Sequence, residues 1–189
     1  GTLHWRVGMS GFDLLDAVQP AEGWYCIVGI TAEGVVRQHL VETREEFDQI
    51  AEQFVAQQRN VYFGVAKYAS GENRSKANER GLKTYWIDID CGEDKAVVNL
   101  KTGRPSGYAT QVDGFNALRQ FVQDTGLPIP TVVNSGRGVH AYWPLTEEVT
   151  REQWEPVGAQ LRNLCNAHNF FVDPAVFEVA RIMRLPGTF

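Results

Sequence analysis

Two apolar runs, "GWYCIVGI" (23–30) and "GVVRQHLV" (34–41), are joined by Thr31-Ala32-Glu33 and predict a β-hairpin. The period then changes. In "TREEFDQIAEQFVAQQ" (43–58), Phe47, Ile50, Phe54 and Val55 form one helical stripe, with Thr43 as N-cap and Glu46 in the capping-box position. "VYFGVA" (61–66) reads as a strand. "YASGENRSKANERG" (68–81) lacks apolar periodicity, is rich in turn formers, and reads as a mobile loop.

In "TYWIDIDCG" (84–92) the period is two. Thr84, Trp86, Asp88 and Asp90 share one face of a strand, and Tyr85, Ile87, Ile89 and Cys91 share the other. "CGEDKAVVNLKTGRPSGYAT" (91–110) is mostly irregular. Asp113 can cap a helix carrying Phe115, Leu118, Phe121 and Val122, which Gly126 and Pro128 stop. "TVVNSGRGVHAYWPL" (131–145) reads as two strands around a glycine-rich turn. A third helix, about 151–168, places Trp154, Val157, Leu161 and Leu164 together, and Pro156 sets its regular start near Trp154. "FFVDPAVF" (170–177) and "ARIMRLPGTF" (180–189) close the chain. Strands and helices alternate without even βαβ spacing, which predicts an α+β fold with a mixed or antiparallel sheet flanked by helices.

Composition narrows the class. The 189 residues are 43% hydrophobic and 22% charged, which suits one globular domain over 1–189. No apolar run reaches transmembrane length, so the expectation is a soluble protein without a membrane partner. Gly1-Thr2, with no initiator Met, reads as the trimmed end of a longer chain. Three scattered cysteines, Cys26, Cys91 and Cys165, make no disulfide framework, and a reducing cytoplasm is the simplest setting. Cys165 and His168 have the spacing of half a zinc site, but no second pair accompanies them, so no zinc is expected. The net charge of −5 argues mildly against nucleic acid. A local basic stretch counters it: Arg74-Ser75-Lys76, Arg80, Lys83 and Lys101 to Arg104.

The candidate chemistry begins with Asp88 and Asp90, about 7 Å apart on one strand face. Two such carboxylates suit a hard divalent cation, as in polymerases, nucleases and sugar transferases. A solvent-facing strand end explains them too. In "NSGRGVHAYW" (134–143), Gly136 and Gly138 permit an amide nest for an anion, Ser135 adds a hydroxyl, and Arg137 adds a planar cation suited to phosphate. His140 shares a face with Tyr142, while Val139, Ala141 and Trp143 take the other. A hairpin turn with an incidental Arg is the plain alternative. Asp173, after an apolar run and before Pro174, should end a strand with its carboxylate free, or simply start a turn. Arg181 and Arg184 flank "IM", and either could reach a phosphate or complete an ion pair.

Together "DID" (88–90), "SGRGVH" (135–140) and the apolar-Asp of "FFVD" (170–173) resemble the three motifs of the archaeo-eukaryotic primase superfamily. "RIMRLPGTF" is similar to the end of the catalytic domain in its primase–polymerase branch, common in phages, plasmids and other mobile elements. The resemblance runs from about Val61 to the end. It implies an α+β catalytic core with an RRM-like sheet, performing template-directed nucleotidyl transfer with two Mg²⁺ or Mn²⁺ ions. Asp88, Asp90 and Asp173 would then be catalytic metal ligands. Ser135, Gly136, Arg137, Gly138, His140 and Arg184 would bind the nucleotide. Nucleoside triphosphates, single-stranded DNA template and primer are the implied partners, with a helicase or accessory domain following in relatives. Tyr85, Trp86 or Tyr108 are candidates for base stacking. The zinc-binding insertion of some members is missing, and Glu178 competes with Asp173 as third ligand. Two other functions are compatible with parts of the pattern. A sugar-nucleotide transferase also uses Asp-x-Asp but leaves "SGRGVH" less well explained, and a non-catalytic single-strand-binding module would need neither carboxylate.

Overall fold

The computed structural model describes residues 6–7 and 11–188; Gly1-Thr2 therefore lies outside the described residues. In chain order the elements are β1 (Arg6–Val7), α1 (Gly11–Val18), β2 (Tyr25–Ile30), β3 (Val36–Val41), α2 (Arg44–Ala56), β4 (Asn60–Gly64), β5 (Lys67–Tyr68), β6 (Glu79–Asp90), α3 (Gln111–Thr125), β7 (Thr131–Asn134), β8 (Gly138–Val149), α4 (Arg151–Ala167), a 3₁₀ turn (Pro174–Val176) and β9 (Ile182–Arg184). Strands and helices mix as α+β, in a five-stranded sheet of order β1-β7-β8-β6-β5 and a four-stranded sheet of order β3-β2-β4-β9. No helix of the described residues is long and apolar enough to cross a membrane.

The chain divides into two compact units. One takes 85–144 and 156–177 with β1; the other takes 11–84, 145–155 and 178–188.

In the second unit, β2 pairs antiparallel with β3 and with β4, and β4 pairs with β9. The capping box of α2 forms as its sequence dictates: Thr43 Oγ1 accepts from Glu46 N–H, and Glu46 reaches back to Thr43 N–H. The helix buries Phe47, Ala51 and Phe54, whereas Val55 is exposed. Phe54 lies on Gly29, where a Cβ would come within 2.7 Å of the ring. Strand β6 starts at Glu79, earlier than the alternation suggested, because β5 pairs with its first residues (Lys67 with Gly81, Tyr68 with Glu79). The loop before it, expected to be mobile, is tied by Asn78. The Asn78 side chain donates to the carbonyls of Ser70 and Asn73, and its backbone carbonyl accepts from Ala69 N–H.

In the first unit, Ile87, Ile89, Leu118, Phe121, Val132, Val139, Ala141, Trp143, Leu161 and Cys165 make the core. Strand alternation thus places Ile87 and Ile89 inward, as their spacing requires. Two helix starts differ from expectation. Thr110, not Asp113, caps α3, accepting from Asp113 N–H, since a hydroxyl one turn earlier reaches the N3 amide. Helix α4, whose residues 151–155 belong to the second unit, begins at Arg151 with Pro156 inside it; Thr150 Oγ1 accepts from Gln153 N–H and starts the helix ahead of the proline. Trp154, Leu161 and Cys165 are buried, whereas Val157 is exposed.

Candidate active site

The site is built in the first unit on the end of β6 and the β7–β8 turn. Asp88 and Asp90 project from the same face of β6 and are each partly exposed. Trp86 on that face is fully buried, its indole N–H donating to the carbonyl of Val176 at 2.8 Å. It therefore cannot stack a base. Tyr108 is also structural, its hydroxyl accepting from Phe171 N–H at 3.1 Å, and Tyr85 packs against the core.

Gly138 opens β8 against the last residues of β6. A Cβ there would collide with the Ile89 carbonyl oxygen, so only glycine permits the approach. That approach brings His140 to Asp88: Nε2 lies 3.3 Å from Oδ1, with side chains 5% and 15% exposed. His140 Nδ1 is buried with no hydrogen-bond partner among the described residues. The Tyr142 ring meets the imidazole edge-on at 6.4 Å, and burial, then the Asp88 charge, push its phenol well above the usual range.

The turn itself corrects the anion-nest expectation. Gly136, at φ +87°, donates its N–H to Asn134 Oδ1 at 2.7 Å. Gly138 N–H is taken by Ser135 Oγ at 3.0 Å. Two amides of the supposed nest thus serve the turn, because Asn and Ser side chains reach nearby backbone donors. Arg137 stands exposed at the tip. Gln111, which no sequence signal marked, donates to Asn134 Oδ1 and to the Gly138 carbonyl, bracing the turn against the start of α3.

Asp173 does not end a strand. It caps the 3₁₀ turn, Oδ1 accepting from Ala175 N–H at 2.9 Å, and its own N–H donates to the Asp88 carbonyl at 2.8 Å. The Asp-Pro turn chemistry wins over strand continuation. Asp173 is close enough to matter to Asp90. Burial first, then the charges of Asp88 and Asp173, raise the Asp90 carboxyl, with Lys95 and His140 pulling the other way. Glu178, the rival, belongs to the second unit and acts there on Tyr68. Arg184 is also in the second unit, on β9, its guanidinium 5.6 Å over the Tyr62 ring.

A cleft of about 510 Å³ opens beside this constellation, lined among others by Asp90, Asp94, Lys95, Thr110, Gln111 and Arg137. Asp88, Ser135, His140 and Asp173 are not among its lining residues. Lys95 was missed by motif reading, although its place in the irregular stretch after "DID" was a usable signal. Among the described residues, no three His, Cys, Asp or Glu side chains converge tightly enough to form a metal cage by themselves. The donor set nonetheless fits a hard cation: Asp90 sits half-buried in the field of two further carboxylates, a negative potential that a divalent ion would offset. Magnesium typically takes one or two carboxylates and completes its shell with water and phosphate oxygens.

No protein-family model and no curated protein sequence matches the chain. Among solved structures, the AEP domain of the cyanophage S-2L primase–polymerase (PrimPol) is similar, with a TM-score of 0.57 at 18% identity, over 86% of this chain and 72% of that one. The chain has an AEP-type fold. Within this AEP-type fold, the β6 carboxylates and the β7–β8 turn come together in one unit with Asp173, while Arg184 stands in the other.

Proposed function

We propose that the chain is a primase–polymerase catalytic domain over 1–189, carrying out template-directed nucleotidyl transfer on single-stranded DNA. The observation that carries this reading is the placement of His140, from the "SGRGVH" turn, against Asp88 of "DID" within an AEP-type fold. In the reaction a 3′-oxygen bonds to the α-phosphorus of a nucleoside triphosphate as the bond to pyrophosphate breaks. Asp88, Asp90 and Asp173 would hold two Mg²⁺ or Mn²⁺ ions, which when bound acidify the hydroxyl and neutralise the phosphates.

The chain's own residues bind and orient. His140, with Nε2 3.3 Å from Asp88 Oδ1, would fix that carboxylate's direction. Arg137 presents a planar cation at the cleft mouth, and Ser135, buried beside it in the turn, retains a hydroxyl proton to donate. The RRM-like element of this reading is β6, α3 and the β7–β8 hairpin, in which β8 returns to lie beside β6. A cytoplasmic setting and a role in replicating a phage, plasmid or other mobile element complete the proposal.

The test is incubation with a single-stranded template and labelled nucleotides, with and without a primer, in Mg²⁺ and in Mn²⁺. Template-dependent incorporation is the expected result. Sugar-nucleotide consumption without incorporation would overturn the reading.

A further inference from the structure

Residues 94–107 form an ordered projection whose feet stand on Asp90. Tyr108 N–H donates to the Asp90 carbonyl at 3.0 Å, and Gly92 N–H to the Tyr108 carbonyl at 2.8 Å. Gly107 presses so closely on the Asp90 carbonyl that a Cβ would collide with it. The stem closes where Ser106 and Gly107 N–H both donate to the Lys95 carbonyl. The tip closes where Asn99 N–H donates to Arg104 O at 2.9 Å and Gly103 N–H to Asn99 O at 2.8 Å, with Gly103 at φ +69°. Asn99 Oδ1 also accepts from Lys101 N–H.

This turn is fixed by its backbone, yet its apolar side chains cover nothing. Leu100 is 98% exposed, Val97 67% and Val98 53%. From Lys95 to Val112 the chain contains no acidic residue, and the tip carries Lys101 and Arg104, both exposed. In a protein of net charge −5, a cationic tip with bare aliphatic groups complements a polyanion that has apolar faces. An unpaired nucleic-acid strand is such a ligand, because its phosphates are regularly spaced and its base faces are open. A duplex hides those faces.

We propose that 94–107 is a finger that grips an unpaired strand beside the catalytic cleft. Leu100, with Val97 and Val98, lies against the bases, and Lys101 and Arg104 hold flanking phosphates. The proposal rests on reading the chain as a primase–polymerase domain and names the element that holds its template. Clamping on Asp90 sets the distance between the gripped strand and the reacting nucleotide, while Lys95 from the same finger lines the cleft.

The test uses the full chain and fluorescently labelled oligodeoxythymidine, free of metal and nucleotide, followed by anisotropy across a salt series. Leu100→Ser should weaken binding roughly tenfold and leave the salt slope unchanged. Lys101→Ala with Arg104→Ala should weaken it and flatten the slope of log affinity against log salt by about 1.4, roughly 0.7 for each lost phosphate contact. Circular dichroism should be unchanged for both, since none of these side chains is packed. Absence of binding by the wild-type chain, or wild-type affinity and slope in both variants, overturns the finger. So does a Leu100→Ser effect confined to self-association in sedimentation, which would make the tip a contact between copies. A chain that extends primers while both variants bind normally loses the finger and keeps the function. One that never extends primers but loses strand affinity with Leu100→Ser keeps the finger and loses the function.

Discussion

His140 Nε2 lies 3.3 Å from Asp88 Oδ1, in a setting where both side chains are largely shielded from water. A buried imidazole that aims one nitrogen at a carboxylate, with the other unpartnered among the described residues, is placed to orient that carboxylate. Removal of such a positioning group typically costs about 10- to 100-fold in metal affinity or activity. His140→Ala should therefore slow primer extension by that factor and raise the Mg²⁺ concentration needed for half-maximal rate. An unchanged metal requirement would count against the positioning role.

The paired carboxylates are the more demanding case. Asp88→Ala combined with Asp90→Ala should abolish primer extension, by at least about a thousandfold, because in the proposed mechanism each carboxylate would be a hard ligand for the ions that offset phosphate charge. Folding should persist, since neither side chain belongs to the hydrophobic core. Chelation of divalent ions by EDTA should give the same loss in the wild-type protein, reversed by Mg²⁺. Full extension by the double variant on a defined template would remove the mechanism.

Gly138 carries a structural prediction. Its Cβ position falls on the Ile89 carbonyl, a backbone atom with little room to move. Gly138→Ala should destabilise the chain by roughly 1–3 kcal/mol, the usual cost of forced overpacking, measured as a lowered urea midpoint at unchanged m. Activity should fall more than stability, because the same shift separates His140 from Asp88.

Glu79 gives a pH dependence in the second unit. Burial, opposed by Arg151 and reinforced by Glu152, Glu148 and Glu155, lifts its carboxyl from 4.5 to about 7, and Oε1 has no hydrogen-bond partner among the described residues. Between those two values the unfolded chain has released the proton and the folded chain still holds it. Stability therefore falls as pH rises through this window, then levels off above about 7. Glu79→Gln should remove the decline and stabilise the protein at pH 8 by about 1 kcal/mol, after discounting for the side chain's contact with water, with little effect below pH 4.5. Denaturant midpoints at the two pH values measure it; equal gains at both would refute the assignment.

Local patterns by themselves determined a good part of this protein. The hairpin over β2 and β3, the Thr43–Glu46 capping box, the stop of α3 at Gly126 and the shared face of Asp88 and Asp90 all follow from spacing within a few residues. The inward placement of Ile87 and Ile89 follows from the same period of two. What the tertiary structure alone decided involves partners far apart in the chain. Strand β8 meets β6 at Gly138, which puts His140 on Asp88. Gln111 braces the turn, Asp173 spends one oxygen on a cap, Trp86 is buried under Val176, and Arg184 falls in another unit. Periodicity reports which way a side chain points relative to its own backbone. Which segment then covers that face depends on long-range packing, and that packing settles whether an alternating aspartate, tyrosine or tryptophan meets solvent, a partner side chain or the core.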